Sequence, residues 1–217
     1  SDRRYVEEGA DELVFLDITA TVEQRKTLTS LVRRVAEEIN IPFTVGGGIR
    51  TLEDAQAIIR AGADKVSLNS SAVDRPELLT EIAEQFGSQC VVLAIDTKQE
   101  ENGEWMVYVH GGRTPTPLHT VDWAIEGVRR GAGEILLTSM NHDGMKQGFA
   151  LEITEAVCNA VSVPVIASGG AGSMTHFAEV FTKTKVSAAL AASIFHFGEI
   201  PIPELKSYLK EIDIPIR

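Results

Sequence analysis

Ile166-Ala167-Ser168-Gly169-Gly170-Ala171-Gly172 follows a β-type run, Val163-Pro164-Val165, and precedes a helical pattern that starts near Met174. Glycines at a strand-to-helix turn let the backbone come close to an anion, and the N-terminus of the helix favours negative charge there. Taken singly, such a turn can equally serve only to fold a helix back on its strand. A second copy stands at Phe43-Thr44-Val45-Gly46-Gly47-Gly48-Ile49, again after a β run with a proline (Ile41-Pro42) and before a helix. Both belong to a longer repeat. Gly9-Ala10 matches Gly131-Ala132, Glu12 matches Glu134, Pro42 matches Pro164 and Gly47-Gly48 matches Gly169-Gly170, all 122 positions apart. One extra residue near Thr184 then brings Asn69-Ser70 into line with Ala192-Ser193.

Outward from these turns, buried-type strands alternate with helices of one apolar stripe. Glu12 to Thr19 is an apolar run with a polar tip, and Leu28, Leu31, Val32, Val35 and Ile39 follow at helical spacing. Thr51-Leu52-Glu53-Asp54 offers a capping-box-like start to the next helix, and Asp74-Arg75-Pro76 a start to a helix that runs to Gly87. Cys90 to Asp96 is another buried run. The rhythm breaks after it, where Asn102-Gly103 and the alternating Trp105 to Val109 predict a β-hairpin insertion at about 100–112. Two similar halves of βα units predict an α/β fold, a (β/α)8 TIM barrel with a half-barrel internal repeat, as a single domain over residues 1–217. An open doubly wound sheet gives no reason for the symmetry. Barrel strands are expected near 12, 43, 65, 90, 134, 163 and 186, and the repeat places the partner of the Cys90–Asp96 strand upstream of Ser1. The first strand is therefore expected to be absent from this sequence, with strands two to eight present.

With 217 residues, 44% of them hydrophobic and 24% charged, the composition is that of a soluble domain able to bury a sizeable core. No run approaches a membrane span, and Ser1-Asp2-Arg3-Arg4-Tyr5 does not read as a signal peptide. A net charge of −11 argues against nucleic acid, so an anionic ligand must be held by local groups. Cys90 and Cys158 form no metal or disulfide pattern and are expected to be buried thiols in a reducing, cytoplasmic setting. His142, His176 and His196 are scattered; neither metal nor cofactor is expected.

In a barrel of this kind the chemistry sits at the carboxyl ends of the strands. The tips here are Asp17, Thr19, Gly47, Gly48, Asn69, Ser70, Asp96, Thr138, Ser139, Ser168, Gly169, Gly170, Ala192 and Ser193. Two glycine turns, each followed one unit later by a serine-tipped strand, predict two phosphate sites and a long substrate with a phosphate at each end. The alternative is an ancestral duplication with one live site. Asp96 ends a hydrophobic strand, where partial desolvation suits acid–base work; capping the next loop is the other use of such a residue. Asp17 is a weaker candidate of the same type. Asp143-Gly144 is either a source of N–H groups for a phosphate or a plain turn. Glu12, Lys65 and Glu134 begin three strands at the opposite end, and charges there predict a salt-bridge cluster.

Several stretches together resemble one family: Leu16-Asp17-Ile18-Thr19-Ala20, Val45-Gly46-Gly47-Gly48-Ile49, Ala63-Asp64-Lys65-Val66-Ser67, Ala94-Ile95-Asp96, Gly131-Ala132-Gly133-Glu134-Ile135-Leu136-Leu137-Thr138-Ser139, Ala167-Ser168-Gly169-Gly170-Ala171-Gly172 and Ala188-Ala189-Leu190-Ala191-Ala192-Ser193-Ile194-Phe195-His196-Phe197. The family is the cyclase subunit of imidazole glycerol phosphate synthase, in histidine biosynthesis, and the resemblance covers the whole chain. It implies a phosphoribulosyl-formimino-aminoimidazole carboxamide ribonucleotide substrate, ammonia from a glutaminase partner, and imidazole glycerol phosphate and aminoimidazole carboxamide ribonucleotide as products. Asp96 matches one of the family's two catalytic aspartates; the other lies on the first strand, and no residue here matches it. The resemblance further implies that Gly48, Asn69 and Ser70 hold one phosphate. Asp143, Gly144, Gly169, Gly170, Ala192 and Ser193 would hold the other, with Thr138 and Ser168 between. Glu12, Lys65 and Glu134 become the gate of an ammonia tunnel, on the barrel face where the glutaminase docks as a heterodimer, with Asp64 facing it. The rival readings are the sister isomerase of the same pathway, which shares the half-barrel repeat and both glycine turns, and a non-catalytic barrel that docks to a glutaminase.

Overall fold

Short runs of Val, Ile and Leu become parallel strands covered on both faces, and the segments of helical spacing become the helices between them. The computed structural model describes residues 10–16, 22–140, 149–170, 173–190 and 202–216. Its strands are β1 (Leu13–Leu16), β2 (Phe43–Gly46), β3 (Lys65–Leu68), β4 (Val91–Gln99), β5 (Trp105–Val109), β6 (Thr114–His119), β7 (Glu134–Ser139), β8 (Val165–Ser168) and β9 (Ala188–Leu190). Its helices are α1 (Val22–Glu38), α2 (Leu52–Arg60), α3 (Ser70–Asp74), α4 (Glu77–Phe86), α5 (Thr120–Arg130), α6 (Leu151–Ala160), α7 (Met174–Lys183) and α8 (Ile202–Glu211). The chain forms two compact units, Ser1–Val92 with Arg130–Gly133 and Leu93–Arg129 with Glu134–Arg217.

In the first unit β1, β2 and β3 are neighbours and parallel, with Leu13 opposite Phe43 and Val45 opposite Val66. All four residues of β2 are buried, as a central parallel strand requires. Val32 and Val35 of α1, Ile58 of α2 and Leu78, Leu79 and Ile82 of α4 supply the apolar stripes of the helices. The helix expected from Asp74-Arg75-Pro76 to Gly87 is present as α4, and a short helix that the sequence did not reveal precedes it. The short α3 ends at Asp74, Arg75 leaves the helical region with φ −144° and ψ 86°, and α4 starts after Pro76 without a side-chain cap. A residue before proline is pushed out of the α region, which accounts for the break.

In the second unit β7, β8 and β9 are parallel, with Ile135 opposite Val165 and Ala167 opposite Ala189. β4 lies beside β7, and the Met140 N–H donates to the Thr97 carbonyl over 2.8 Å. Phe149, Phe177, Val180, Leu205, Leu209 and Ile214 pack into one cluster, the two rings meeting edge to face at 5.4 Å. The expected hairpin at about 100–112 proves larger. β4 runs on to Gln99, β5 returns antiparallel to it, and β6 adds a further antiparallel strand up to His119. Pro115 and Pro117 hid β6 in the sequence. They are tolerated because, among the described residues, β6 pairs only with β5 and is the outer strand of the meander.

Neither cysteine is fully buried. Cys90 ends a single 3-10 turn just before β4 rather than lying in the strand, and Cys158 sits on α6; both are half-buried, and desolvation pushes both thiols upward. Among the described residues no helix is long and apolar enough to cross a membrane.

Candidate active site

The two glycine turns share positive φ at both of their glycines. Gly47 and Gly48 after β2 have φ of 85° and 68°, and Gly169 and Gly170 after β8 have φ of 96° and 86°. Side chains are disfavoured in that region, so the glycines are demanded by the turn itself. Gly169 is also a close approach: a Cβ there would lie 2.7 Å from the carbonyl oxygen of Ser139. Each turn leads into a capped helix. The Thr51 hydroxyl accepts from the Asp54 N–H (3.1 Å) and the Asp54 carboxylate accepts from the Thr51 N–H (3.2 Å), the reciprocal arrangement expected from the sequence. Ser173 accepts from the His176 N–H at 3.4 Å.

Around the first turn, Asn69 and Ser70 follow β3 and open α3, with the Asn69 carbonyl taking the N–H groups of Ala72 and Val73. The Asn69 side chain is not used to cap the helix. In the second unit, Thr138 and Ser168 are direct neighbours in register at the ends of β7 and β8, both half-buried, and Gly169-Gly170 follow at once. Asp96 is half-buried near the end of β4, at the level where Thr97 meets Met140. Thus Asp96, Thr138, Ser168 and the second glycine turn lie at the same ends of three neighbouring parallel strands. The buried Thr97 hydroxyl shares a 2.7 Å hydrogen bond with Thr120, the first residue of α5. Alternation along β4 then places Asp96 on the reverse face from Thr97. Asp17, Thr19, Asp143, Gly144, Ala192 and Ser193 lie outside the described residues, as do His142 and His196.

At the strand starts, Lys65 and Glu12 form an ion pair at 3.5 Å, with side-chain exposures of 20% and 39%. The Asp64 carboxylate accepts from the Phe43 N–H at 2.9 Å, which ties the start of β2 to that of β3. Glu134 begins β7 in the second unit and is buried. Two of the three charges expected to cluster are thus brought together within one unit.

Sequence reasoning missed a group beside Asp96. Tyr108 stands directly opposite Asp96 across the β4–β5 pair, its hydroxyl donates to the Glu100 carboxylate, and the Lys98 ammonium lies 5.6 Å from the centre of its ring. A signal was available: Lys98 is two residues past Asp96, the spacing of one strand face, and Glu100 comes directly past the strand's end.

Comparison with known proteins agrees with this geometry. A family model described as "Histidine biosynthesis protein" matches residues 2–201. The imidazole glycerol phosphate synthase subunit HisF of Phocaeicola vulgatus is 60% identical over 99% of this chain and 85% of its own length. The subunit of the same name from Anoxybacillus flavithermus is 60% identical over 99% of this chain and 86% of its own. That from Bacteroides fragilis is 59% identical over the same shares. The chain belongs to the HisF family. Its fold class is therefore α/β of the (β/α)8 TIM-barrel type, as the half-barrel repeat predicted. HisF proteins are the cyclase subunits of imidazole glycerol phosphate synthase, lyases of histidine biosynthesis, and the sequence resemblance to that family holds. The chain spans about 85% of the length of the HisF relatives it matches.

Proposed function

We propose that this chain uses ammonia to convert phosphoribulosyl-formimino-aminoimidazole carboxamide ribonucleotide into imidazole glycerol phosphate and aminoimidazole carboxamide ribonucleotide. The observation that carries the reading is the placement of Asp96. It is a half-buried carboxylate at the same strand ends as Thr138, Ser168 and a glycine turn whose backbone admits no side chain. Asp96 moves protons during ring closure and cleavage, and Thr138 and Ser168 line the substrate between its ends. Gly48, Asn69 and Ser70 hold one phosphate through backbone and hydroxyl dipoles, and Asp143, Gly144, Gly169, Gly170, Ala192 and Ser193 hold the other. With a net charge of −11, the chain must hold its phosphates through such local groups. Ammonia arrives from a glutaminase subunit seated at the strand starts and passes Glu12, Lys65 and Glu134. The reaction belongs to the cytoplasm and invokes no cofactor.

The test supplies an ammonium salt at alkaline pH in place of the glutaminase. Product should form without glutamine, and Asp96→Asn, which keeps size and hydrogen bonding, should lower turnover by roughly 10² or more with little change in binding. Turnover of Asp96→Asn within threefold of the parent would reduce Asp96 to a structural cap. A parent that isomerises an upstream ribonucleotide and ignores ammonia would be the sister enzyme, and one with neither activity a docking barrel.

A further inference from the structure

We infer that Lys98 is a further substrate-contacting cation of this site, and that Tyr108 and Glu100 are positioning residues that hold it on the face of Asp96. This rests on the cyclase reading above. Period-two geometry puts Asp96 and Lys98 on one side of the β4 backbone, with Glu100 directly past the strand's end, and Thr97, fully buried against Thr120, on the other. β5 then opposes Asp96 with Tyr108 and Lys98 with Met106, in unbroken register. Directly opposed residues of an antiparallel pair point to the same side, with Cα atoms about 4.5–5.5 Å apart. Tyr108 is thus the cross-strand neighbour of the acid–base carboxylate.

The Tyr108 ring is buried, with 7% exposure, and both ends of it are engaged. Its hydroxyl donates to Glu100, and that bond to a carboxylate, with burial adding to it, holds the phenol above its ordinary range as a neutral donor. Its face carries the Lys98 ammonium at 5.6 Å, within the range of a cation–π contact. An unanchored lysine spreads its charge over many rotamers. Stacked on Tyr108, Lys98 keeps its charge on the Asp96 side of the strand pair. The Glu100 bond matters for a second reason. Glu100 is two residues from Lys98, directly past the strand's end, and without the phenol it becomes the anion best placed to draw the ammonium away.

Beside Asp96 in the second unit, Thr138 and Ser168 offer dipoles, whereas the proposed substrate carries two phosphates. A lysine anchored beside the reacting centre supplies a charge-assisted contact to an anionic oxygen of the substrate.

Steady-state kinetics with ammonium as the nitrogen source test this in the full protein with four variants: Lys98→Met, Lys98→Arg, Tyr108→Phe and the double variant Lys98→Met with Tyr108→Phe. Lys98 is exposed, so its replacement leaves the fold in place. Lys98→Met should raise KM for the ribonucleotide about tenfold or more, with kcat nearly unchanged, and Lys98→Arg should restore most of the loss. Tyr108→Phe keeps the ring and loses the bond to Glu100; KM should rise roughly fivefold. The double variant should be no worse than Lys98→Met alone, because Tyr108 acts through Lys98. A KM for Lys98→Met within twofold of the parent overturns the inference. So does a Tyr108→Phe variant that loses thermal stability and active fraction while its KM stays put, or a double variant in which the two effects multiply. A parent without ammonium-driven turnover overturns the cyclase reading itself, and this inference with it.

Discussion

The stretch from β1 to β3 and the stretch from β7 to β9 repeat each other bond for bond at their strands. Leu13 N donates to the Pro42 carbonyl at 3.1 Å, and 122 residues later Ile135 N donates to the Pro164 carbonyl at 3.0 Å. Asp64 N reaches the Phe43 carbonyl at 3.1 Å, and Ser187 N reaches the Val165 carbonyl at 2.9 Å. Both copies end their second strand in two glycines of positive φ and start the next helix on a hydroxyl cap, Thr51 in one and Ser173 in the other. The copies differ at the strand starts. Asp64 offers a carboxylate to the Phe43 N–H where Ser187 has none to offer, and Lys65, paired with Glu12, corresponds to the uncharged Ala188. On the proposed function, a substrate with a phosphate at each end would need the same backbone turn twice. A passage for ammonia would use the glutamates common to both copies, Glu12 and Glu134, with the one lysine, Lys65, that only the first copy carries.

The largest effect should come from removing a glycine of the shared turn. Gly169→Ala meets two penalties: a positive φ of 96°, and a Cβ 2.7 Å from a backbone oxygen. The first costs about 1–2 kcal/mol, and the second forces the backbone to shift, so the loss should reach about 3 kcal/mol in urea unfolding. Gly103→Ala is the control, because its φ of 87° carries the same strain and nothing lies within 4 Å of the added carbon. It should lose only about 1–2 kcal/mol. Equal losses in the two would mean that close approach does not hold Gly169, and half of the case for a built turn would go.

The asymmetric end is tested by Lys65→Ala. Its pair with Glu12 is half-exposed and longer than a good hydrogen bond, so the stability cost should stay within about 1 kcal/mol. The nitrogen source separates a gate from a plain ion pair. A gate mutant should keep the reaction fed by external ammonium but couple poorly to glutamine hydrolysis, releasing ammonia to solvent. Equal loss on both sources, with one glutamine still consumed per product, would end the tunnel reading for these residues.

Much of this was legible in the sequence because it is local or repetitive. Glycine pairs, hydroxyl caps and apolar runs are short-range signals, and the 122-residue offset showed that β1–β2 and β7–β8 are equivalent pairs, whose matching registers the structure supplies. The parts that stayed hidden depend on pairing across the chain. β6 contradicts its own prolines and exists because β5 gives it an edge to lie on. The Thr97–Thr120 hydroxyl bond and the Tyr108–Glu100 bond join residues that no spacing rule connects. The short helix ahead of Pro76 is intermediate: the proline was visible, but the sequence reading took it as a helix start and not also as the stop of the helix before it.

The smallest expected difference lies in the two caps. Replacing a hydroxyl cap by alanine costs about 0.5–2 kcal/mol, and the two copies should sit at different points of that range. Thr51 belongs to a reciprocal arrangement in which its hydroxyl accepts at 3.1 Å and the Asp54 carboxylate takes two further N–H groups, of Arg50 (3.0 Å) and Thr51 (3.2 Å). Ser173 contributes one long bond, 3.4 Å, and its hydroxyl is shared with that of Thr175 at 2.8 Å. Thr51→Ala should therefore cost about 1–1.5 kcal/mol and Ser173→Ala about 0.5 kcal/mol, read as urea midpoints at a constant slope. Neither hydroxyl is assigned to the substrate, so ammonium-driven turnover should move less than twofold in either variant. Inorganic phosphate sharpens the comparison, since the helix that satisfies fewer of its own first-turn N–H groups has more to give an anion. Saturating phosphate should recover a larger share of the Ser173→Ala loss than of the Thr51→Ala loss. A larger cost for Ser173→Ala without phosphate would contradict the cap geometry, and equal recovery in both would show that the two turns bind phosphate without regard to how their helices are capped.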